Sequence, residues 1–556
     1  MQDENLIFVD NPLENPNDHP KEKINDINFG SCYKKAYKRY CKNPGKDVLC
    51  PLIFFIDKTF TDARGLITLE PIWLTLGIFN QSARNRPDAW RVIGFVPSLS
   101  NINNKNLTSG QRLDDYHSIL RMIFTPLKKL QSYDGLAWKL NYRNSLFDVV
   151  FKIPILFITG DSEGHDKLVG RKKQYNLLVE NRHICRYCNV SMDQCDNPTY
   201  VNDSADFEYT KSSTVRKLLE LADENSDKKL SDLGYYQINR NIFHELKFCD
   251  RKHGLNGSLP ADLLHTYQLG IYTYAIEQFF KQKKANVTII RKLKKEEKQG
   301  NTKKKVACSK AKNDGEIYVC RNEHGALEKK HLSSLLVFNK SECDKLNTMA
   351  SYYGKQLSHQ SDRNLPRAKF SDLSSERKKN GHEYQGVLLN ILVIMVSSHS
   401  EYLKQRFGGE PIGRKRWSSW VLLFERLIMV EEFLKQESFV LDSVSMFKRW
   451  FPALLQLYKN VIDRDAGNGL KILKYHLCTH FADDIRKWGP PSACDSSIGE
   501  SNHKVLKRQS KKTQKRIRDV FECQTGIRYV EDVALQTTLN NLSHMIVQLE
   551  NLITKY

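Results

Sequence analysis

Leu52-Ile53-Phe54-Phe55-Ile56-Asp57 is an unbroken apolar run closed by a single carboxylate. Five apolar residues without polar alternation read as a strand buried on both faces. The acid that ends it then stands at the rim of a sheet, where a side chain is held by rigid backbone yet reaches solvent. The pattern recurs downstream. Ile153-Pro154-Ile155-Leu156-Phe157-Ile158-Thr159-Gly160 is again apolar and is again closed by an acid, Asp161.

Working outward, residues 1–47 are polar and punctuated by Asn-Pro and Asp-His-Pro, a loose arm followed by a short helix at 31–40. Val48–Asp57, Leu66–Phe79 and Trp90–Ser100 read as three consecutive strands separated by Asp62-Ala63-Arg64-Gly65 and Asn85-Arg86-Pro87-Asp88. Asp114–Leu130 has helical spacing in Tyr116, Ile119, Leu120, Ile123 and Leu127. Leu146–Thr159 supplies further strand, interrupted by Lys152 and Pro154. Three strands, a helix and a strand with an acid at its end suggest an RNase H-like half-fold, in which the first and fourth strands are neighbours. The plain alternative is an ordinary α/β domain in which each Asp starts a turn or caps a helix.

From Thr214 onward the texture is mostly helical: Thr214–Asn225, Leu259–Lys283, His382–Phe407, Ser418–Gln436, Ser443–Asp463, Gly469–Trp488 and Val530–Lys555. The expected fold is therefore an α/β RNase H-like core, a mixed sheet with flanking helices, interrupted by a large and mostly α-helical insertion. The boundaries are an arm at 1–47, the first part of the core at 48–180, the insertion at 181–488, and a C-terminal catalytic helix region at 489–556 that completes the core. Within the insertion, 281–313 is a basic low-complexity segment. It reads as a solvated loop or helix extension, or as a nuclear-import signal or phosphate-contacting arm.

The chain has 556 residues, enough for a large core, and a net charge of +22. A surplus of that size favours a polyanionic partner, above all nucleic acid. The N-terminus has no basic and apolar pair of segments that would read as a secretory signal. The longest apolar stretch, Val387 to Val396, contains Asn390 and is too short to cross a bilayer, so no membrane partner is expected. The thirteen scattered cysteines, an odd number, fit an intracellular protein with reduced thiols and a zinc site better than a disulfide scaffold.

Cys185-Arg-Tyr-Cys188 is a CxxC, and His476-Leu-Cys-Thr-His480 is an HxxxH. Together they have the ligand types and local spacings of a structural Cys2His2 zinc site. Histidines four apart fall on one face of the helix expected at Gly469–Trp488. Two thiolates favour Zn²⁺ over Mg²⁺. Such an ion would tie together the two ends of the insertion. Cys195, His183 and Cys478 are rival ligands, and ordinary thiols with core histidines are the alternative.

A third acid, Glu500, opens the basic helical stretch Glu500-Ser501-Asn502-His503-Lys504-Val505-Leu506-Lys507-Arg508. Ser496, Ser497 or Gly499 can cap its start. Positions 500, 503, 504, 507 and 511 fall along one stripe. Lys504 to Arg518 holds eight basic residues and no acid, with Lys504, Lys507, Arg508, Lys511 and Lys512 as the candidate DNA contacts. Two strand-end acids and one acid on a late helix are the layout of a two-metal nuclease or strand-transferase site. Mg²⁺, or Mn²⁺ in its place, takes oxygen ligands, so Asp57, Asp161 and Glu500 are the candidate catalytic ligands. The alternative for Glu500 is a first-turn acid favoured by the helix dipole.

These residues resemble the DDE transposases of cut-and-paste DNA transposons, nearest to the CACTA-like and Plavaka-like groups. The likeness is carried by Phe54-Phe55-Ile56-Asp57-Lys58-Thr59, Ile158-Thr159-Gly160-Asp161-Ser162-Glu163-Gly164-His165-Asp166, Leu259-Pro260-Ala261-Asp262-Leu263-Leu264-His265, and Tyr475–His480 leading to Gly499-Glu500-Ser501-Asn502-His503-Lys504. The resemblance implies catalysis by Asp57, Asp161 and Glu500. It also implies double-stranded DNA as partner, a homo-oligomer on paired DNA ends and a nuclear location. Asp262 and His265 look like a C/D-x-x-H signature of the insertion, with a supporting role at the active site or a structural one. Such transposases usually carry a further N-terminal DNA-binding module, where this chain has only a short polar arm. The alternative expectation is a catalytically inactive, truncated or domesticated DNA-binding relative.

Overall fold

The computed structural model describes residues 3–20, 22–61, 67–97, 107–172, 182–221, 223–238, 241–280, 288–292, 317–321, 327–331, 340–358, 381–406, 412–462, 469–513 and 518–553. The fold is mixed α/β. It divides into two compact units, Met1–His265 with Leu434–Arg449 and His476–Tyr556, and Thr266–Phe433 with Trp450–Tyr475.

The first unit is built on a sheet whose centre is β1 (Leu52–Ile56). β2 (Thr68–Leu76) pairs antiparallel with β1, and β3 (Arg91–Val96) pairs antiparallel with β2. On its other side β1 pairs in parallel with β4 (Ile155–Thr159). The order is thus β3-β2-β1-β4, with the short strand Thr59–Phe60 added to β2. Beyond β4, Ile155 makes a parallel bridge to Phe248, accepting from Cys249 N at 2.8 Å and donating to Lys247 O at 2.9 Å.

All five residues of β1 and all five of β4 are buried, as strands covered on both faces require. Leu52, Phe54 and Ile56 pack with Leu113, Tyr116, Leu120 and Phe124 of a long helix, Ser109–Ser132. Ile53, Phe55, Trp73 and Phe157 face the opposite way, towards Tyr33, Ala36 and Tyr37 and towards Trp488, Leu506 and Tyr529. The helices on that second face are α1 (Ser31–Tyr40), α4 (Phe481–Trp488), α5 (Ser497–Lys511) and α6 (Arg518–Ile553). The long helix on the first face is α2 (Ser109–Ser132), and α3 (Ser162–Val169) follows β4 directly. Each buried aromatic here contributes about 1.5–3 kcal/mol relative to exposure.

Several expectations are corrected. Val48–Asp57 is two strands, because Pro51 has no N–H to continue a ladder. Asp47–Leu49 pairs instead with Ser145–Lys152 in a separate three-stranded sheet. Leu146–Thr159 is likewise split at Ile153-Pro154. The hairpin partner Leu136–Tyr142 was not read from the sequence. Its turn, Arg143-Asn144, has φ of 48° and 60° and lacks the glycine that marks such turns. The helix expected at Asp114–Leu130 is longer, started by a capping box between Thr108 and Gln111. The N-terminal stretch is not loose. Ile7 and Ile27 are buried, and Lys23–Ile24 pairs with Phe439–Val440.

The second unit has helices at Thr273–Phe280, Lys340–Ser358, Gly381–Val396 and Ile412–Leu434. It also contains an antiparallel sheet of Thr288–Lys292, Ile317–Arg321 and Leu327–His331, which a mostly helical reading missed. Of the basic segment 281–313, only 288–292 lies among the described residues, and it is a strand rather than a loop or helix. The helix expected at Leu259–Lys283 begins at Leu264, as π-helix to Tyr272 and α-helix to Phe280, and 281–283 lie outside the described residues. No helix among the described residues is long and apolar enough to cross a membrane.

Candidate active site and metal centre

Parallel pairing sets the first two acids side by side. Phe54 is opposite Ile158 and Phe55 opposite Thr159 in the β1–β4 ladder. Asp57 and Asp161 each follow two residues later, so they leave the sheet at matching positions. A Cβ on Gly160 would lie 2.7 Å from Ile56 O, so only glycine lets the two chain ends approach this closely. Asp161 is the N-cap of α3 and accepts from Gly164 N. The capping role foreseen as the plain alternative is thus present alongside the rim position.

Glu500 arrives from the other side of the sheet. It lies in the first turn of α5, preceded by Gly499. A Cβ on Gly499 would run into the Phe55 ring, so the glycine is what lets α5 rest against β1. Carboxylate oxygens of Asp57 and Glu500 and a ring nitrogen of His503 all fall within 4.8 Å of one another. Burial, then the charges of Asp161 and Glu500, push the Asp57 carboxyl up to about 8. Like charges gathered in a half-buried place repel one another, an arrangement able to receive a cation.

Asp262 and His265 stand behind Glu500. Asp262 accepts from Ser496 N (2.9 Å), Ser496 Oγ (2.8 Å), His265 N (2.8 Å) and His265 Nδ1 (2.6 Å). The far nitrogen of His265 is 3.8 Å from Glu500 Oε1. Burial opposes charge on His265, but Asp262, then Asp161 and Glu500, push it up to about 9. Asp262 thus orients an imidazolium that faces Glu500, and through Ser496 it also holds the residue that precedes α5. Ser496 holds the N-cap position without a side-chain capping bond and Gly499 lies inside the helix, and the distant partners of both left no signal in the sequence. His503 did leave one, at the i, i+3 spacing from Glu500.

The cysteine and histidine pairs also meet. Cys188 Sγ is 3.2 Å from His476 Nε2 and 3.7 Å from His480 Nε2; Cys185 Sγ is 3.7 Å from His480 Nε2. The two Nε2 atoms are 3.2 Å apart. A tetrahedral zinc with Zn–S of about 2.3 Å and Zn–N of about 2.0–2.1 Å needs N–N near 3.4 Å and N–S near 3.6 Å. The four residues therefore fit such an ion, and all four are buried. Cys195, His183 and Cys478 are not in the group. Arg171 braces the loop by donating to the carbonyls of Cys185 (2.9 Å) and His183 (2.6 Å). The helix expected over Gly469–Trp488 is broken. Leu473–Cys478 ends in a tight turn at Thr479-His480 before α4 begins.

On α5 the expected stripe is corrected. His503 is buried and Lys507 half-buried, so that side of the helix faces the protein. Lys504, Arg508, Lys511 and Lys512 are exposed, spaced as one outward face. Of the basic residues up to Arg518, Lys515 and Arg516 lie outside the described residues.

A search of curated proteins finds no match to this chain. Residues 10–151, which include Asp57 and stop short of Asp161 and Glu500, match the family model of the Plavaka transposases, in agreement with the Plavaka-like resemblance carried by the motifs and with a transposase-like function.

Proposed function

We propose that this chain is a metal-dependent DDE transposase with an RNase H-like core, acting in the nucleus on double-stranded transposon ends as a homo-oligomer. The observation that carries the reading is the meeting of Asp57 with Glu500, with Asp161 near enough for its charge to act on Asp57. Two of them stand at matching positions on parallel neighbouring strands, and the third comes from a helix packed on the central strand. The strand order β3-β2-β1-β4, antiparallel for three strands and parallel for the fourth, supports the RNase H-like assignment, as does the parallel bridge at Phe248.

In this reading Asp57, Asp161 and Glu500 hold divalent cations, Mg²⁺ or Mn²⁺. Cations bound there supply positive charge to the attacking and leaving oxygens of a phosphodiester. Asp57 is central because both other acids act on it. His265 faces Glu500 and keeps that side chain from turning away from Asp57. Cys185, Cys188, His476 and His480 hold Zn²⁺ as a structural clamp between the loop after α3 and the start of α4. Lys504, Arg508, Lys511 and Lys512 offer charge to the DNA backbone next to the acids, with Lys507 at the edge of that face. Hydrolysis of the donor strand and attack by the freed 3′-OH are then the same in-line displacement with two different nucleophiles.

The test is cleavage of supercoiled plasmid with Mg²⁺ or Mn²⁺ by wild type, Asp57→Asn and Glu500→Gln. Metal-dependent nicking by wild type and none by either variant is expected. Nicking that survives in Asp57→Asn would sink the assignment. DNA binding without nicking in all three would leave a DNA-binding relative of such enzymes.

A further inference from the structure

The acidic cluster includes one group outside the three acids. His503 has 0% of its surface exposed, and its ring lies on Phe55 with centroids 5.2 Å apart. Neither Nδ1 nor Nε2 has a hydrogen-bond partner. A buried imidazole with both nitrogens unsatisfied carries a desolvation cost that a ligand at one of them would reduce. Its ring reaches the cluster because two periodicities coincide. Phe55 and Asp57 share one face of the β1 chain, two residues apart. Glu500 and His503 share one face of α5, three residues apart. Packing α5 on β1 through Gly499 brings the two faces together, and a ring nitrogen of His503 comes within 4.8 Å of carboxylate oxygens of both Asp57 and Glu500. Asp161 is outside that group, with its carboxylate accepting from Gly164 N.

We propose that His503 is a direct ligand of the divalent cation held by Asp57 and Glu500, which makes that position a set of two carboxylates and one imidazole. The inference rests on the reading that Asp57 and Glu500 bind metal. A nitrogen donor in place of an oxygen disfavours Mg²⁺, a hard ion, and favours first-row transition ions such as Mn²⁺. The cation position at Asp57 thus selects Mn²⁺ over Mg²⁺.

The experiment uses full-length protein loaded with one equivalent of Zn²⁺ and freed of excess, so that the tighter thiolate site alone is filled with a magnetically silent ion, and titrated with Mn²⁺. Electron spin resonance counts bound Mn²⁺, and spin-echo modulation reports nitrogen directly bonded to it. Wild type is expected to show a ¹⁴N coupling. His503→Gln is expected to lose it and to bind Mn²⁺ at least about tenfold more weakly, since even indirect changes at metal sites cost that much. His503→Asp keeps a ligand but makes it oxygen, so it should bind Mn²⁺ without the coupling and shift preference towards Mg²⁺. Circular dichroism and zinc content check that each variant is folded. Bound Mn²⁺ without ¹⁴N coupling in wild type, or equal affinity in His503→Gln, overturns the role of His503 and leaves the acids intact. Mn²⁺ binding unchanged in Asp57→Asn overturns the acid site itself, and the inference with it.

Discussion

Asp57 and Asp161 stand at matching positions, each two residues beyond the last paired residues, Phe55 and Thr159, of parallel neighbouring strands. Backbone geometry sets the two residues side by side, and the charges of Asp161 and Glu500 both act on Asp57. Without a cation this arrangement opposes folding. Asp57→Asn is therefore expected to raise the melting temperature of metal-free protein, by on the order of 2 °C. The variant should also lose the further rise that Mn²⁺ gives wild type through binding to the folded state. Thermal melts with and without Mn²⁺ check both. A variant that melts lower than wild type without metal would mean that the acids are not in conflict.

The buried Cys2His2 group makes a second prediction. One zinc per chain is expected by elemental analysis, and Cys188→Ser with His480→Ala should remove it. Ligand removal then unties the loop after α3 from the start of α4, so proteolysis should begin near 182–210. Zinc binding and folding are coupled at such sites, so chelation should have the same effect. Full zinc content in the double variant would place the metal elsewhere.

Much of this was legible in the chain, and for physical reasons. β1 and β4 are apolar throughout because helices cover both of their faces, so their ends, and hence Asp57 and Asp161, could be read directly. CxxC and HxxxH spacings are local, so each half of the thiolate and imidazole group was visible. Sequence does not carry distance, however. That α5 lies on Phe55 depends on one glycine contact, and so do the meeting of Glu500 with Asp57 and the place of His503. The missed hairpin has Arg143-Asn144 in its turn, and the strand break at Pro51 was hidden by the apolar residues on either side.

Gly499→Ala tests that contact. Its new methyl meets the Phe55 ring, and overpacking of this kind costs about 1–3 kcal/mol. If α5 instead slides outward, stability is partly kept but Glu500 leaves Asp57. Either way, plasmid nicking should fall well beyond any change in DNA binding. Phe55→Leu in the same chain makes room and should restore part of the loss. A double variant no better than Gly499→Ala would show that the ring is not the obstacle.

Asp250 gives a pH dependence away from the metal sites. Burial alone would raise its carboxyl, but hydrogen bonds from His253 and the Lys487 ammonium, 2.6 Å away, hold it well below the usual range. A carboxylate depressed in the folded state contributes stability that is present above its unfolded value, near pH 4, and is lost as pH falls through the folded value. Asp250→Asn should therefore flatten the acid limb of the stability curve and cost about 1–3 kcal/mol at pH 7. Acid titrations followed by fluorescence compare the two limbs. Superimposable limbs would mean that the pair contributes nothing.

The exposed face of α5 makes the last prediction. Lys504, Arg508 and Lys511 recur at four and three residues, so they project as one row away from the sheet, while His503 and Leu506 are buried. A row of cations along a helix follows a phosphate backbone rather than base edges, so its contribution is electrostatic and independent of sequence. Each phosphate contact releases condensed counterions, with a slope in log affinity against log salt of about −0.9 per contact. Replacing all three with alanine should flatten the slope by about 2.7 units if each meets a phosphate. Binding should weaken equally on transposon-end and unrelated duplexes. Lys507, half-buried on the inner side, should change the slope less than any of the three. An unchanged slope in the triple variant would place DNA on another face of the unit, and the link between the acids and the helix that carries Glu500 would then have to stand on the metal alone.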